Sequence, residues 1–182
     1  MGKNILVITG SPRKKGNSNA MAASFIRACT DKGYTVQRLD ATFLKLSGCM
    51  ACDACYSKGV PCVVDDDFNT LVAPAVLAAD AVIFVMPVYW YSVPAQIKMV
   101  IDKLYALVVG EKDIAGKCYG LIACCEENDD DVFTGVRFCL DRSAALIKWE
   151  SIGSVCVTGV FKTGEIDKTD GCARAAALAD AL

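Results

Sequence analysis

The cysteines at 49, 52, 55 and 62 lie in one run, GCMACDACYSKGVPC, from Gly48 to Cys62. Thiolates ligate zinc and iron–sulfur centres and form disulfides, so the spacing of the run bears on several chemistries. Steps of three residues let the first three thiols turn inward together, as around the iron–sulfur cube of bacterial ferredoxins. There the fourth cysteine follows after three residues and serves another cluster. Here six residues separate Cys55 from Cys62, with Gly59 and Pro61 to shape the turn. That is long enough for Cys62 to return to the same centre. Structural zinc takes two separated knuckles and fits this cramped run less well. Free or oxidised thiols remain an open alternative.

Two other stretches carry chemistry. GSPRKKGNSN, Gly10 to Asn19, has two glycines for tight turns, donors at Ser11, Asn17, Ser18 and Asn19, and a planar fork at Arg13 suited to phosphate oxygens. It is neither a P-loop nor a G-x-G-x-x-G fingerprint. An ordinary polar loop capping a helix is its plain reading. PVYWYSVP, Pro87 to Pro94, sets Tyr89, Trp90 and Tyr91 in a row. Consecutive side chains cannot all face one core, so at least one reaches solvent or a flat ligand. Packing under a loop or at a subunit interface is the alternative. The chain has no histidine, which removes Ser-His-Asp and Cys-His catalysis and histidine metal sites. Chemistry carried by a cofactor fits such a chain.

The elements that must position these stretches follow from periodicity. Asn4–Thr9 is a short, nearly all-apolar run, as in a parallel strand covered on both faces. A helix with Met21, Phe25 and Ile26 on one side follows, ending at Gly33. Further strands are predicted at 34–39, 81–86, 118–125 and 152–158, and helices at 132–147 and 169–182. Asp65, Asp66 and Asp67 precede a helical pattern from Leu71 and read as caps and solvated acids. Ile97, Val100, Ile101, Leu104 and Leu107 share one helix face, with Lys98, Asp102 and Lys103 off it. Strands alternating with helices predict an α/β fold, a doubly wound five-stranded parallel sheet of order 2-1-3-4-5 with helices on both faces. Residues 1–182 read as one domain with a cysteine-rich loop at about 46–67. In such sheets ligands bind beyond the C-terminal strand ends, where all three stretches fall.

GSPRKKGNSN followed by PVYWYSVPAQIKMVIDK resembles the NADPH-dependent FMN reductase-like flavoproteins of flavodoxin-like fold, across essentially the whole chain. The resemblance implies FMN, its phosphate held by Ser11, Arg13, Asn17, Ser18 and Asn19. Pro87, Val88, Tyr89, Trp90, Tyr91 and Ser92 would meet the isoalloxazine ring. The loop at 124–127, with Cys125 and Glu126, would approach from the other side. Glu126 to Asp131 also reads as a solvated helix-capping loop. The cysteine run resembles the compact motif of the iron-sulfur flavoprotein branch, which implies one [4Fe-4S] cluster on Cys49, Cys52, Cys55 and Cys62.

The implied function is electron transfer between FMN and the cluster, with a small molecule or a redox protein as donor or acceptor and NAD(P)H as a donor the family admits. The family also suggests a homodimer or homotetramer. No catalytic side chain is named. An NAD(P)H-dependent flavin or quinone reductase without a cluster is the alternative, and a thiol-based redox sensor a further one. A net charge of −2 gives no global sign of nucleic acid or an anionic membrane surface. The longest apolar run, Ala81 to Val88, is far short of the ~20 residues of a membrane helix, and the N-terminal residues lack a signal-peptide pattern. A cytoplasmic location is expected. The seven other cysteines (Cys29, Cys118, Cys124, Cys125, Cys139, Cys156 and Cys172) then read mostly as small buried hydrophobes. The odd total of eleven and the reducing cytosol argue against a disulfide framework.

Overall fold

The computed structural model describes residues 2–56 and 61–182. Five strands, β1 (Asn4–Thr9), β2 (Thr35–Asp40), β3 (Ala81–Pro87), β4 (Cys118–Cys124) and β5 (Glu150–Val157), form one parallel sheet of order β2-β1-β3-β4-β5. The helices are α1 (Asn17–Asp31), α2 (Ala73–Ala78), α3 (Ala95–Val109), α4 (Thr134–Leu146) and α5 (Gly171–Ala177).

Side chains alternate across a strand, so a run apolar at every position must have two covered faces. In β1, Ile5 and Val7 pack with Met21 and Phe25 of α1 and Ala175 of α5. Leu6 and Ile8 point the other way, toward Val76 of α2, Ile97, Val100 and Leu104 of α3, and Leu140 of α4. Among the described residues no helix is long and apolar enough to cross a membrane.

Three features differ from the periodicity. The segment after Asp67 opens as a π-turn, Phe68–Val72, before α2. Pro74 has no N–H for the carbonyl four residues back, which accounts for the widened turn. The last predicted helix splits into α5 and a 3-10 turn, Leu178–Ala181, with Thr169 Oγ1 accepting from Gly171 N at 3.0 Å. Lys103, expected off the apolar face of α3, is 2% exposed.

Three helices close with the same paired bonds, α3 through Lys112 N to Leu107 O at 3.0 Å and Glu111 N to Val108 O at 3.1 Å. At α1, Tyr34 N donates to Cys29 O at 3.0 Å and Gly33 N to Thr30 O at 2.9 Å. At α4, Trp149 N donates to Ala144 O at 2.9 Å and Lys148 N to Ala145 O at 3.3 Å. The residue between must be left-handed. Gly33 takes φ 79° freely, whereas Lys148 takes φ 59° with a Cβ. Lys148 is exposed. Lys148→Gly is therefore expected to stabilise the fold by about 0.5–1 kcal/mol, read as a higher urea midpoint at an unchanged slope.

Candidate functional site

The loop after β1 is built to hold its backbone open. Gly10 N continues the ladder to Val85 O at 2.9 Å, and a Cβ on Gly10 would stand 2.6 Å from Ile97 Cγ1. Ser11 Oγ accepts from Arg13 N at 3.3 Å, and Gly16 N donates to Arg13 O at 2.7 Å. Asn17 crosses to the loop after β5, donating to Lys162 O at 3.0 Å and accepting from Gly164 N at 3.1 Å. Gly16 stands at the N-cap of α1 and offers its first-turn N–H groups no side-chain acceptor.

The loop after β3 closes on itself. Tyr89 and Ser92 exchange backbone hydrogen bonds, both 3.1 Å. Trp90 and Tyr91 between them sit at φ 50° and 60°. That is a primed two-residue turn, which Asn and Gly normally occupy. Two non-glycine residues held there store strain of order 1–3 kcal/mol each. The first turn of α4 presses on this loop: a Cβ on Gly135 would overlap the Tyr91 carbonyl oxygen. Trp90 is 94% exposed at the tip. The Tyr91 phenol bonds to Glu127, and that bond and the carboxylate's charge raise its pKa. Burial pushes the Cys124 thiol up to about 12 and raises Cys125 as well.

These loops enclose a cavity of about 690 Å³, within the ~300–1,000 Å³ of small-molecule sites. Ser11, Arg13, Asn17 and Ser18 line one wall, Pro87, Val88, Tyr89, Trp90 and Tyr91 a second, and Cys125 and Glu126 a third. Two expected residues do not line it. Asn19 bonds Arg13 O at 2.8 Å and accepts from Arg38 at 2.9 Å, bracing the loop from behind. Ser92 closes the aromatic turn instead. Cys124 and Glu127, the ends of the expected 124–127 loop, also line the cavity, as do Val160, Phe161 and Thr163. The last three carry no motif. Their one signal was topological, since the loop after β5 leaves the same sheet edge.

Cys49, Cys52, Cys55 and Cys62 line a second cavity of about 170 Å³, shared with Asp102, Lys103, Tyr105 and Ala106 of α3. Cys49 and Cys52 are exposed, Cys55 and Cys62 half-buried. Ala51 and Asp53, on either side of Cys52, take φ 50° and 55°. Tyr56 bonds the Tyr105 hydroxyl with the rings edge-on at 6.2 Å. Gly59, expected to shape the turn, lies outside the described residues. Among the described residues no group of three or more His, Cys, Asp or Glu side chains is placed to hold a metal ion.

The base of this segment is clasped. Asp67 accepts from Lys45 N at 2.7 Å, and Asp67 N donates to Lys45 O at 3.0 Å. Asp66 accepts from Ser47 N at 2.9 Å, from Phe68 N at 3.1 Å and from buried Lys103. Asn69 holds Cys62 from both sides, accepting from its N at 3.0 Å and donating to its O at 2.7 Å. The acids expected only as caps and solvated residues thus tie the two ends of the loop together, because a carboxylate at a chain crossing finds unpaired N–H groups.

Residues 3–129 match the profile of the NADPH-dependent FMN reductase family. The chain belongs to that family. Within it, the chain is similar to an iron-sulfur flavoprotein of Archaeoglobus fulgidus, 37% identical over 97 residues, covering 53% of this chain and 43% of that one. It is also similar to the iron-sulfur flavoprotein of Methanosarcina thermophila, 31% identical over 96 residues, 53% and 49% of the two chains. The chain spans about half the length of the curated relatives it matches. Among solved structures, the NAD(P)H:quinone oxidoreductase from Methanothermobacter marburgensis superposes with a TM-score of 0.80 at 14% identity, covering 99% of this chain and 96% of that one. At that identity the likeness shows the fold.

The clasp is expected to be acid-labile. Burial raises the Asp66 carboxyl, but its bonds from Lys103, Ser47 and Phe68 outweigh this and leave it below its ordinary 3.8. A depressed folded value means that its stabilisation is present above 3.8 and lost as pH falls through the folded value. Asp66→Asn, which strands Lys103, should cost about 3–5 kcal/mol at neutral pH. In urea unfolding, the gap from wild type should narrow as the pH drops below that range; a pH-independent gap would contradict this.

Proposed function

We propose that the chain is an FMN-dependent oxidoreductase whose strand-end cavity holds FMN and whose cysteine cavity holds a [4Fe-4S] cluster. The observation that carries this reading is the convergence of four parallel-strand loops on one cavity of about 690 Å³, with a helix N-terminus at one end and an aromatic turn at the other. Ser11, Arg13, Asn17 and Ser18 would hold the phosphate with the first-turn amides of α1, which suit an anion. Asn19 supports them through the Arg13 carbonyl. Tyr89, Trp90 and Tyr91 frame the ring site beside Pro87 and Val88, with Cys125 and Glu126 opposite and Ser92 holding the turn closed. Glu127 raises the pKa of the Tyr91 phenol, and burial raises those of the Cys124 and Cys125 thiols.

The donor set of the second cavity suits a cubane. A single zinc bonds its sulfurs at about 2.3 Å and draws them round one point. In a [4Fe-4S] cube each thiolate takes its own iron, so four spread cysteines on one cavity fit it without a three-ligand focus. When bound, FMN supplies one- and two-electron chemistry and the cluster passes single electrons. Helix α3 follows the aromatic loop and carries Lys103 against the cysteines, so one rigid element spaces the two cavities. We place the chain in the cytoplasm as a homodimer or homotetramer, with NAD(P)H as donor and a small molecule or redox protein as acceptor.

A second reading, an NAD(P)H-dependent flavin or quinone reductase without a cluster, is favoured by the exposure of the Cys49 and Cys52 thiols.

Anaerobic purification with assay of flavin, iron and acid-labile sulfide separates the two. The cluster reading predicts one FMN and about four irons and four sulfides per chain, with iron lost and FMN kept in Cys55→Ser and Cys62→Ser. FMN without iron selects the second reading, and a chain that binds no FMN refutes both. Gly135→Ala, by pushing on the Tyr91 carbonyl, is expected to weaken FMN binding about tenfold, or 1.4 kcal/mol, read by flavin fluorescence titration.

A further inference from the structure

We propose that Lys103 is a positioning residue for the cysteine centre, whose charge raises the centre's reduction potential. The inference rests on the cluster reading above. Among the described residues lining the cysteine cavity, the charged side chains are Asp53, Asp102 and Lys103, so Lys103 is the one cation. Asp102 is engaged by Lys98 at 2.6 Å. Lys103 pairs with Asp66, the two side chains being 1% and 5% exposed. Its Nζ also lies 5.7 Å from the centre of the Phe68 ring. Asp66 does not line the cavity. Lys103 therefore belongs to the wall of the cysteine cavity, while its anionic partner holds the base of the loop.

Desolvating two charges costs as much as their attraction returns, and apolar side chains of similar volume hold a fold as well or better. A clasp alone does not need this pair. What an apolar pair would lack is the positive charge beside the thiols. A cube on four thiolates carries about two net negative charges and gains one more on reduction, and net charge and its surroundings set its potential. A buried cation, weakly screened, stabilises the reduced form more than the oxidised one.

The test uses the full chain, purified anaerobically, with cluster reduction followed by electron paramagnetic resonance in a potentiometric titration. The double variant Lys103→Met/Asp66→Leu removes both charges and leaves an apolar pair. Its midpoint is expected to fall by about 59 mV, a tenfold change in the one-electron equilibrium. Lys103→Arg should stay close to wild type. Lys103→Gln, which can still bond Asp66 but leaves its negative charge uncompensated, should fall at least as far as the double variant and serves if that variant does not fold. A charge-free variant with full iron and sulfide and an unchanged midpoint overturns the proposal, since a merely structural role would leave the potential unmoved. A wild-type chain without iron and sulfide overturns the cluster reading itself, an outcome read before any variant is made.

Discussion

A parallel sheet covered on both faces can release its chain only at its edges, and every strand-to-helix loop leaves from the same one. Nearly all else in this molecule depends on that constraint. The apolar runs of β1 and β3 demand helices on both sides, and the right-handed crossovers then bring the loops after β1, β3, β4 and β5 to one rim. The cavity there is a consequence of topology, and the loop residues only line it. The loop after β2 leaves from the same end, which sets the cysteines against α3.

Local devices then stiffen what the topology brings together. The aromatic turn holds two side-chain-bearing residues in left-handed conformations, and its closing bonds and the press of Gly135 keep it there. Strain maintained by surrounding structure is a mark of functional loops. The cysteine loop is held by Asp66 and Asp67 at its base and by Asn69 around Cys62. Both devices reach α3 or its approach, so the helix serves as the common frame of the two cavities.

The sheet order was legible because five apolar runs alternate with helical periods, and that pattern leaves few topologies. The resemblance to the FMN reductase family was legible from two loops and matches the family found. Less visible were features made by contacts distant in sequence. Lys103 fell off the apolar face of α3, and its burial was not legible because its partner is Asp66, 37 residues away. Asp66 and Asp67 looked like simple caps because no local pattern announces that Lys45 and Ser47 return beside them. Asn19 and Ser92 share their loops with cavity-lining residues, yet spend their bonds on the protein's own backbone and on Arg38. Val160, Phe161 and Thr163 have no motif, and only the position of β5 could have drawn attention to them.

The central claim is that one sheet edge carries two distinct cofactor sites, a flavin cavity and a thiol cavity. Hydrogen–deuterium exchange of the anaerobic chain, with and without added FMN, tests it most directly. The account predicts that FMN slows exchange at residues 10–19, 87–92, 124–127 and 159–164. Residues 45–67 should respond only when iron and sulfide are supplied. Protection by FMN at the cysteine segment alone, or none at the four strand-end loops, would contradict it.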